Sequence, residues 1–162
     1  MRLSERDRLD LLDLAARYAL YADRRELGAL AGLFTEDGAL VLPEPPASLA
    51  AITRHEGRGR IELALAALHD VPVTGHAVLG HVIDEQPGHG TASGTVTGTA
   101  AHVTDRPDGQ SRNLIWHVHY RDRYRRGPDG WRFHTRELDI DWIETRPVRL
   151  RGQGGQDRRR GR

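Results

Sequence analysis

The sequence contains no cysteine and no lysine, and each absence removes a class of chemistry. Without cysteine the chain can form no disulfide, no thiolate nucleophile and no cysteine-based zinc site. Without lysine it can form no Schiff base with a carbonyl substrate. All 24 basic residues are therefore arginine.

Long apolar runs and cofactor motifs are also missing. No stretch of 18 apolar residues occurs, and no basic and then apolar leader precedes the first helix, so we expect a cytoplasmic protein that is neither secreted nor membrane-spanning. There is no glycine-rich phosphate loop after a strand, no Walker A motif and no set of metal ligands, and we therefore expect no cofactor and no metal. A length of 162 residues with 38% hydrophobic residues predicts one ordinary domain.

Charge divides the chain into a body and a tail. Residues 149–162 hold six arginines and one aspartate, which leaves residues 1–148 with a net charge of −4 against +1 for the whole chain. The tail has almost nothing to bury, so the sequence predicts a folded domain over residues 1–148 and a disordered arginine- and glycine-rich tail over 149–162. Because no aromatic residues are interleaved with its arginines, we expect no nucleic-acid partner.

The first helix is predicted from an apolar stripe of period 3.6. Ser4 and Asp7 match a capping box, which sets the start at Glu5, and the stripe ends near Ala22. One face of this helix should be buried, and it carries a phenol. The stripe consists of Leu11, Leu14, Ala15, Tyr18 and Ala22.

Asp23 follows directly and has two interpretations. A carboxylate at a helix C-terminus is slightly unfavourable, by about 0.3–1 kcal/mol, so something else should account for it. It could form a capping box with Glu26 for a second helix over residues 24–33, which spacing alone favours. Alternatively, it is a functional carboxylate.

The rest of the chain predicts helices first and strands afterwards. We expect a turn at residues 35–38 with Gly38 at positive φ, a short strand over 39–42, a mobile loop over 47–59 and a short helix over 60–69. Four strands of period 2 then follow, over residues 74–83, 91–103, 112–125 and 131–143. This order indicates an α+β domain with the helices on one face of an antiparallel sheet.

The strand at residues 112–125 has two contrasting faces. Trp116, Tyr120 and Asp122 share the face predicted to point at the helices, which is typical of a pocket wall. His117 and His119 share the other face and have the spacing of metal ligands, but three arginines continue that face and oppose a cation. We expect the outer face to be solvated or to form a subunit contact.

His76 lies near the start of the strand at residues 74–83 and alternates with Val78, Gly80 and Val82. If that phase is the inward one, its imidazole points into the same interior as Tyr18. Taken alone, an inward histidine is more often a core residue than a catalytic base.

Five short motifs follow one another between Leu9 and Trp142. They are, in order, Arg17-Tyr18-Ala19 followed by Asp23; Leu33-Phe34-Thr35-Glu36-Asp37-Gly38; Gly59-Arg60-Ile61; Thr74-Gly75-His76; and Tyr120-Arg121-Asp122 leading to Asp129-Gly130-Trp131-Arg132-Phe133. Their order and spacing resemble the SnoaL-like group of the nuclear transport factor 2-like superfamily. The resemblance implies a cone-shaped α+β barrel, with a curved antiparallel sheet wrapped around the first helix and a deep hydrophobic pocket.

The resemblance also implies a catalytic site. By position, Asp23 and His76 match the Asp/His dyad of the dehydratase and dehydrochlorinase branch, and Tyr18 matches its dehydratase-type tyrosine; Gly80 stands where many relatives have asparagine. In this interpretation Asp23 orients His76, which removes a proton, while Tyr18 stabilises a developing oxyanion. The expected pocket-lining residues are Phe34, Trp116, Tyr120 and Trp142.

The hypothesis from the sequence is a cofactor-independent lyase or isomerase acting on a hydrophobic cyclic molecule, such as a polyketide or a steroid-like compound, in secondary metabolism. The superfamily hosts several chemistries, so two alternatives stay open. One is a polyketide cyclase or epoxide hydrolase in the same pocket, with Asp23 activating water. The other is a non-catalytic ligand-binding or dimerisation module. We also expect a homodimer formed through the outer face of the sheet.

Overall fold

The computed structural model describes residues 2–88, 90–105, 107 and 109–150. The predicted tail at 149–162 therefore lies, apart from its first two residues, outside the described residues. The helices and strands follow in this order: α1 (Glu5–Arg24), α2 (Leu27–Ala31), β1 (Phe34–Glu44), β2 (Ser48–Glu56), α3 (Arg58–Leu65), a 3₁₀ turn (Ala66–Asp70), β3 (Val73–Glu85), β4 (Thr91–Asp105), β5 (Ser111–Gly127) and β6 (Gly130–Val148).

The six strands form one curved sheet in the order β2-β1-β6-β5-β4-β3. The α+β architecture is confirmed, but the sheet is mixed, because β1 pairs with β6 in parallel. The sheet also does not close, since β2 and β3 lie at its two edges and do not pair with each other. The other pairings are antiparallel, as expected for strands joined by short turns. A hairpin would force β1 and β6 to run in opposite directions, whereas the long connection between them leaves either direction open.

Helix α1 begins as predicted. Ser4 and Asp7 form the capping box, in which the Asp7 backbone N–H donates to Ser4 Oγ and the Ser4 backbone N–H donates to Asp7 Oδ2. The helix runs two residues beyond the predicted end and stops at Arg25, which adopts the left-handed conformation at φ 60° and ψ 27°. The whole predicted stripe is buried and packs against the inner face of the sheet.

Two local predictions between residues 35 and 59 are wrong. The supposed turn at 35–38 lies inside β1, and Gly38 does not have a positive φ. A glycine is needed there because an added Cβ would lie 2.9 Å from the backbone oxygen of Thr35. The supposed mobile loop at 47–59 contains β2, an edge strand in which every second residue from 49 to 55 is half-buried.

Candidate functional site

Asp23 and His76 meet where the last turn of α1 crosses the start of β3. His76 Nδ1 donates to Asp23 Oδ1 at 2.6 Å, and the His76 backbone N–H donates to Oδ2 at 2.9 Å. The Thr74 hydroxyl donates to Oδ1 at 2.9 Å. The capping interpretation of Asp23 is therefore wrong: α2 begins at Leu27, and its N-cap, Glu26, makes no side-chain capping bond. Both oxygens of the Asp23 carboxylate accept hydrogen bonds from residues of β3 instead.

Arg25 also links the end of α1 to the start of β3 through hydrogen bonds. Its Nη1 donates to Thr74 Oγ1 at 2.6 Å and to the Ala22 carbonyl at 2.9 Å, and its Nη2 donates to the Val71 carbonyl at 2.8 Å. The end of α1 and the start of β3 are thus held together by one guanidinium. Sequence reasoning gave neither Arg25 nor Thr74 a role in the site. The sequence could have indicated Thr74 as a site residue, because it shares a strand face with His76. No pattern in the sequence indicated Arg25.

The protonation of the pair follows from its hydrogen bonds. Burial acts to raise the pKa of Asp23, but the hydrogen bonds from the backbone and ring of His76 and from Thr74 hold it below its ordinary value. Asp23 is therefore ionised and can only accept, so Nδ1 of His76 carries the proton. In the neutral imidazole, the other ring nitrogen, Nε2, then carries the free lone pair. The His76 side chain is 11% exposed and that of Asp23 is 27% exposed, so the pair is sheltered but reachable.

A second histidine, His102 on β4, stands beside the pair. Its ring lies 6.1 Å from that of His76 and 4.4 Å from that of Trp116. Burial and the neighbouring His76 lower the pKa of His102, so its imidazole is neutral. Among the described residues, His102 Nδ1 and Trp116 Nε1 are buried without a hydrogen-bond partner. Sequence reasoning found no partner for His102, although its alternation with the buried Ala100 pointed inward.

Tyr18, Phe34 and Tyr120 come together in the core. The Tyr18 ring packs edge-on against Phe34, Tyr120 and Phe133, with ring centroids 6.0–6.4 Å apart. All four are buried. None of the hydrogen bonds between described residues joins Tyr18 to Asp23 or His76. A cavity of about 330 Å³ opens beside the dyad and is lined by both polar and apolar residues, namely Asp23, Arg25, His69, Val71, Pro72, Val73 and Thr74.

Trp142 does not join the other predicted pocket residues. It is 55% exposed and stacks on His117 at 4.1 Å, on the outer face of the sheet. The cause is a register shift between β5 and β6: His117 pairs with Trp142 but Val118 pairs with Ile140, so the side-chain alternation reverses at this point. The expectation that Trp142 lines the pocket is therefore corrected.

A similar irregularity corrects the predicted phase of β3. The register against β4 shifts between Val78 and Gly80, so Gly80 and Val82 do not continue the face of His76. Val82 is exposed, and His81 takes the inward position, where its Nε2 lies 3.0 Å from the Tyr124 hydroxyl.

The two outer-face histidines have carboxylate partners. His117 Nε2 lies 2.8 Å from Glu144 Oε1, and His119 Nδ1 lies 2.8 Å from Asp141 Oδ1. The His117 pair has nearly the same separation as the Asp23–His76 pair but lies on the opposite face of the sheet. In the described part of the chain, no helix is both long enough and apolar enough to span a membrane.

Solved structures share this fold. The Kfla4162 protein from Kribbella flavida is 23% identical, with a TM-score of 0.75 over 86% of this chain and 94% of that one. A candidate scytalone dehydratase from Novosphingobium aromaticivorans is 21% identical, with a TM-score of 0.67 over 87% of each chain. A type 2 hexachlorocyclohexane dehydrochlorinase, LinA, is 20% identical, with a TM-score of 0.69 over 93% of this chain and 99% of that one.

At these identities the structural similarity establishes the fold alone. A comparison with curated proteins gives no match. The SnoaL-like domain matches residues 4–137, which include α1, both members of the Asp23–His76 pair and most of the sheet. The chain therefore belongs to the SnoaL-like domain family.

Proposed function

We propose that the protein is a cofactor-independent lyase or isomerase, of dehydratase type, in which His76 removes a proton from carbon. The observation that carries this proposal is the hydrogen bond from His76 Nδ1 to the ionised Asp23, supported by two further hydrogen bonds to the same carboxylate. A histidine held in this way has a fixed tautomer and a free Nε2, as a general base requires.

The proposed elimination runs in two proton transfers. His76 Nε2 takes a proton from a carbon beside an activating carbonyl, and Asp23 stabilises the imidazolium that forms. The C–H electron pair becomes a C=C bond as the neighbouring C–O bond breaks, and the imidazolium returns its proton to the departing hydroxyl, which leaves as water. General base catalysis of this kind contributes about 10²–10⁴-fold.

Tyr18 and Trp116 are proposed to supply hydrogen bonds to the substrate. Tyr18 would donate to the oxygen on which negative charge develops, from its place in the aromatic cluster with Phe34 and Tyr120. The unpaired Nε1–H of Trp116 is a second available donor. A hydrophobic ring-shaped substrate with oxygen substituents, such as a polyketide or a steroid-like compound, fits these aromatic and polar groups. The names dehydratase and dehydrochlorinase among the similar structures also favour an elimination.

The test is hydrogen–deuterium exchange into substrate in D₂O. A panel of hydroxylated cyclic ketones is incubated with the protein, and deuterium at carbon is read by mass spectrometry, which detects proton abstraction even without net turnover. We expect wild-type protein to catalyse exchange in at least one compound, and both Asp23→Asn and His76→Gln to lower the rate by about 10²–10⁴-fold. The matched controls are Glu144→Gln and His117→Gln, which alter a similar pair on the outer face.

Three results would count against the proposal. Folded Asp23→Asn and His76→Gln variants with wild-type exchange rates would remove the dyad from the mechanism. Solvent ¹⁸O appearing in a product would favour the alternative of a hydrolase or cyclase in which Asp23 activates water. Compounds that bind without exchange would favour a ligand-binding module.

We also propose that the protein forms a homodimer through the outer face of the sheet. The support is the exposed Trp142 stacked on His117 in the middle of that face, since aromatic side chains are enriched at interfaces. Light scattering at micromolar concentration should give twice the chain mass, and Trp142→Arg should halve it. A monomeric wild-type mass would contradict the proposal.

A further inference from the structure

Arg136 on β6 is a buried cation in the middle of the aromatic cluster. It is 1% exposed, and its guanidinium carbon lies 3.9 Å from the ring centroid of Tyr120, 4.2 Å from that of Tyr18 and 4.5 Å from that of Phe133. Each distance is within the range of a cation–π contact. One guanidinium thus contacts the rings of both Tyr18 and Tyr120, two residues that the sequence predicts for the site.

The counter-ion of Arg136 is Asp122, which does not satisfy the hydrogen-bond donors of the guanidinium. Asp122 Oδ1 lies 3.5 Å from Arg136 Nε, and among the described residues Nε and Nη1 of Arg136 have no hydrogen-bond partner. The other Asp122 oxygen accepts from the Tyr124 hydroxyl at 2.9 Å, and that hydroxyl also contacts His81. A buried ion pair with unmet hydrogen bonds is often no more stable than apolar side chains of similar size. Stability alone is therefore a weak reason for a guanidinium at this position.

The Arg136 cation acts electrostatically on the phenols of Tyr18 and Tyr120, which it contacts. A positive charge against a phenol favours the ionised form over the neutral one, which makes the hydroxyl a stronger hydrogen-bond donor. Burial raises the pKa of both Tyr18 and Tyr120, and the Arg136 charge opposes that rise in each. The Asp122 charge acts in the opposite direction to Arg136 but more weakly, because Arg136 lies directly against the rings.

We propose that Arg136 is a positioning residue that acts through Tyr18 and Tyr120, holding their rings and strengthening their hydroxyls as donors to the oxygen on which charge develops. Asp122 sets the strength of this effect by partly neutralising the cation. The role in catalysis rests on the proposed function, whereas the effect on the tyrosines does not.

The experiment titrates the tyrosines directly and needs no substrate. The four tyrosines of the full-length protein are replaced by 3-fluorotyrosine, which is more acidic than tyrosine, and ¹⁹F NMR follows each resonance with pH after assignment by single Tyr→Phe variants. In Arg136→Met, we expect the Tyr18 and Tyr120 resonances to titrate higher than in wild type by about one pH unit or more. In Asp122→Asn, both should titrate lower.

The opposite signs separate electrostatic tuning from mere packing, since a loosened core would move both variants in the same direction. Arg136→Lys keeps a cation and should return both resonances toward wild type. The resonance of Tyr21, whose hydroxyl accepts from Arg17 Nη1 at 3.3 Å, serves as the internal control. Arg121→Met removes an exposed arginine of β5 that pairs with Glu137, and it should shift neither Tyr18 nor Tyr120.

Unchanged titrations in a folded Arg136→Met protein would overturn the proposal. If that variant does not fold, Asp122→Asn decides instead, and an unchanged or upward shift in it would overturn the proposal. The outcome is independent of the dyad: exchange that survives in Asp23→Asn and His76→Gln would refute the proposed function and leave the effect of Arg136 on the tyrosines intact.

Discussion

The Asp7 carboxylate connects the start of α1 to β6, and we expect its replacement by asparagine to weaken the fold in a pH-dependent way. Asp7 is 3% exposed. It accepts hydrogen bonds from Ser4 Oγ at 2.7 Å and from Trp131 Nε1 at 2.8 Å, and it lies 3.0 Å from Arg126 Nη1. The hydrogen bonds from Ser4 and Trp131 lower the pKa of Asp7 from its ordinary 3.8 to about 2.

The size and sign of the effect follow from that shift. A difference of nearly two pKa units between the unfolded and folded chain corresponds to about 2 kcal/mol. Because the folded-state pKa is the lower one, this stabilisation is complete well above pH 4 and is lost as the pH falls toward 2. Asp7→Asn should therefore lower the free energy of unfolding by about 2 kcal/mol at pH 7, and about half of that difference should remain at pH 3.

The assay is urea denaturation of wild type and Asp7→Asn at pH 7, 5 and 3, followed by tryptophan fluorescence. The control is Asp13→Asn, which removes an exposed carboxylate of the same helix that pairs with Arg17; exposed pairs contribute about 0–1 kcal/mol. A loss in Asp7→Asn that stays constant from pH 7 to pH 3 would show that the cause is packing rather than ionisation.

Three further predictions concern the dyad, the sheet and the core. Thr74→Val removes one hydrogen bond to Asp23, so the pKa of Asp23 should rise toward its ordinary value, as ¹³C NMR of the side-chain carboxyl can measure. Gly98→Ala should lower the free energy of unfolding by several kcal/mol or prevent folding, because the new Cβ would overlap a backbone oxygen of β3. Gly59→Ala in α3 is the control: its Cβ meets open space, so the substitution should raise the melting temperature. Leu30→Ala, at a fully buried position, should lower the free energy of unfolding by about 2–5 kcal/mol.

The features that sequence reasoning predicted correctly depend on local or regular patterns. The capping box at Ser4 and Asp7 and the stripe through Tyr18 involve residues three or four positions apart, so their spacing determines the structure. The long strands β3 to β6 follow from period-2 alternation and turn residues. The inward face of Trp116 and Tyr120 follows from the same alternation.

The features that sequence reasoning missed depend on register shifts and on contacts between residues distant in the chain, which residue spacing does not indicate. Two register shifts reverse the alternation, and they place Trp142 outside and His81 inside. Spacing alone matched Asp23 to a helix cap, and only the family resemblance paired it with His76; its carboxylate lies against β3, more than fifty residues away in the chain. Arg136 carries the charge typical of a surface position, and only the folded sheet shows that rings of three aromatic residues enclose it.

The parallel pairing of β1 with β6 affects the order in which the chain can fold during its synthesis. Phe34 of β1 finds its partner, Phe133, about a hundred residues later, whereas β3, β4 and β5 pair through consecutive hairpins. During synthesis the apolar side of α1 therefore leaves the ribosome long before the strand that completes its cover. Each hairpin can form as it emerges, but the β1–β2 hairpin can join the other strands only after β6 has been synthesised. Both halves of the proposed dyad, one on α1 and one on β3, are therefore synthesised before the strand that joins the β1–β2 hairpin to the rest of the sheet.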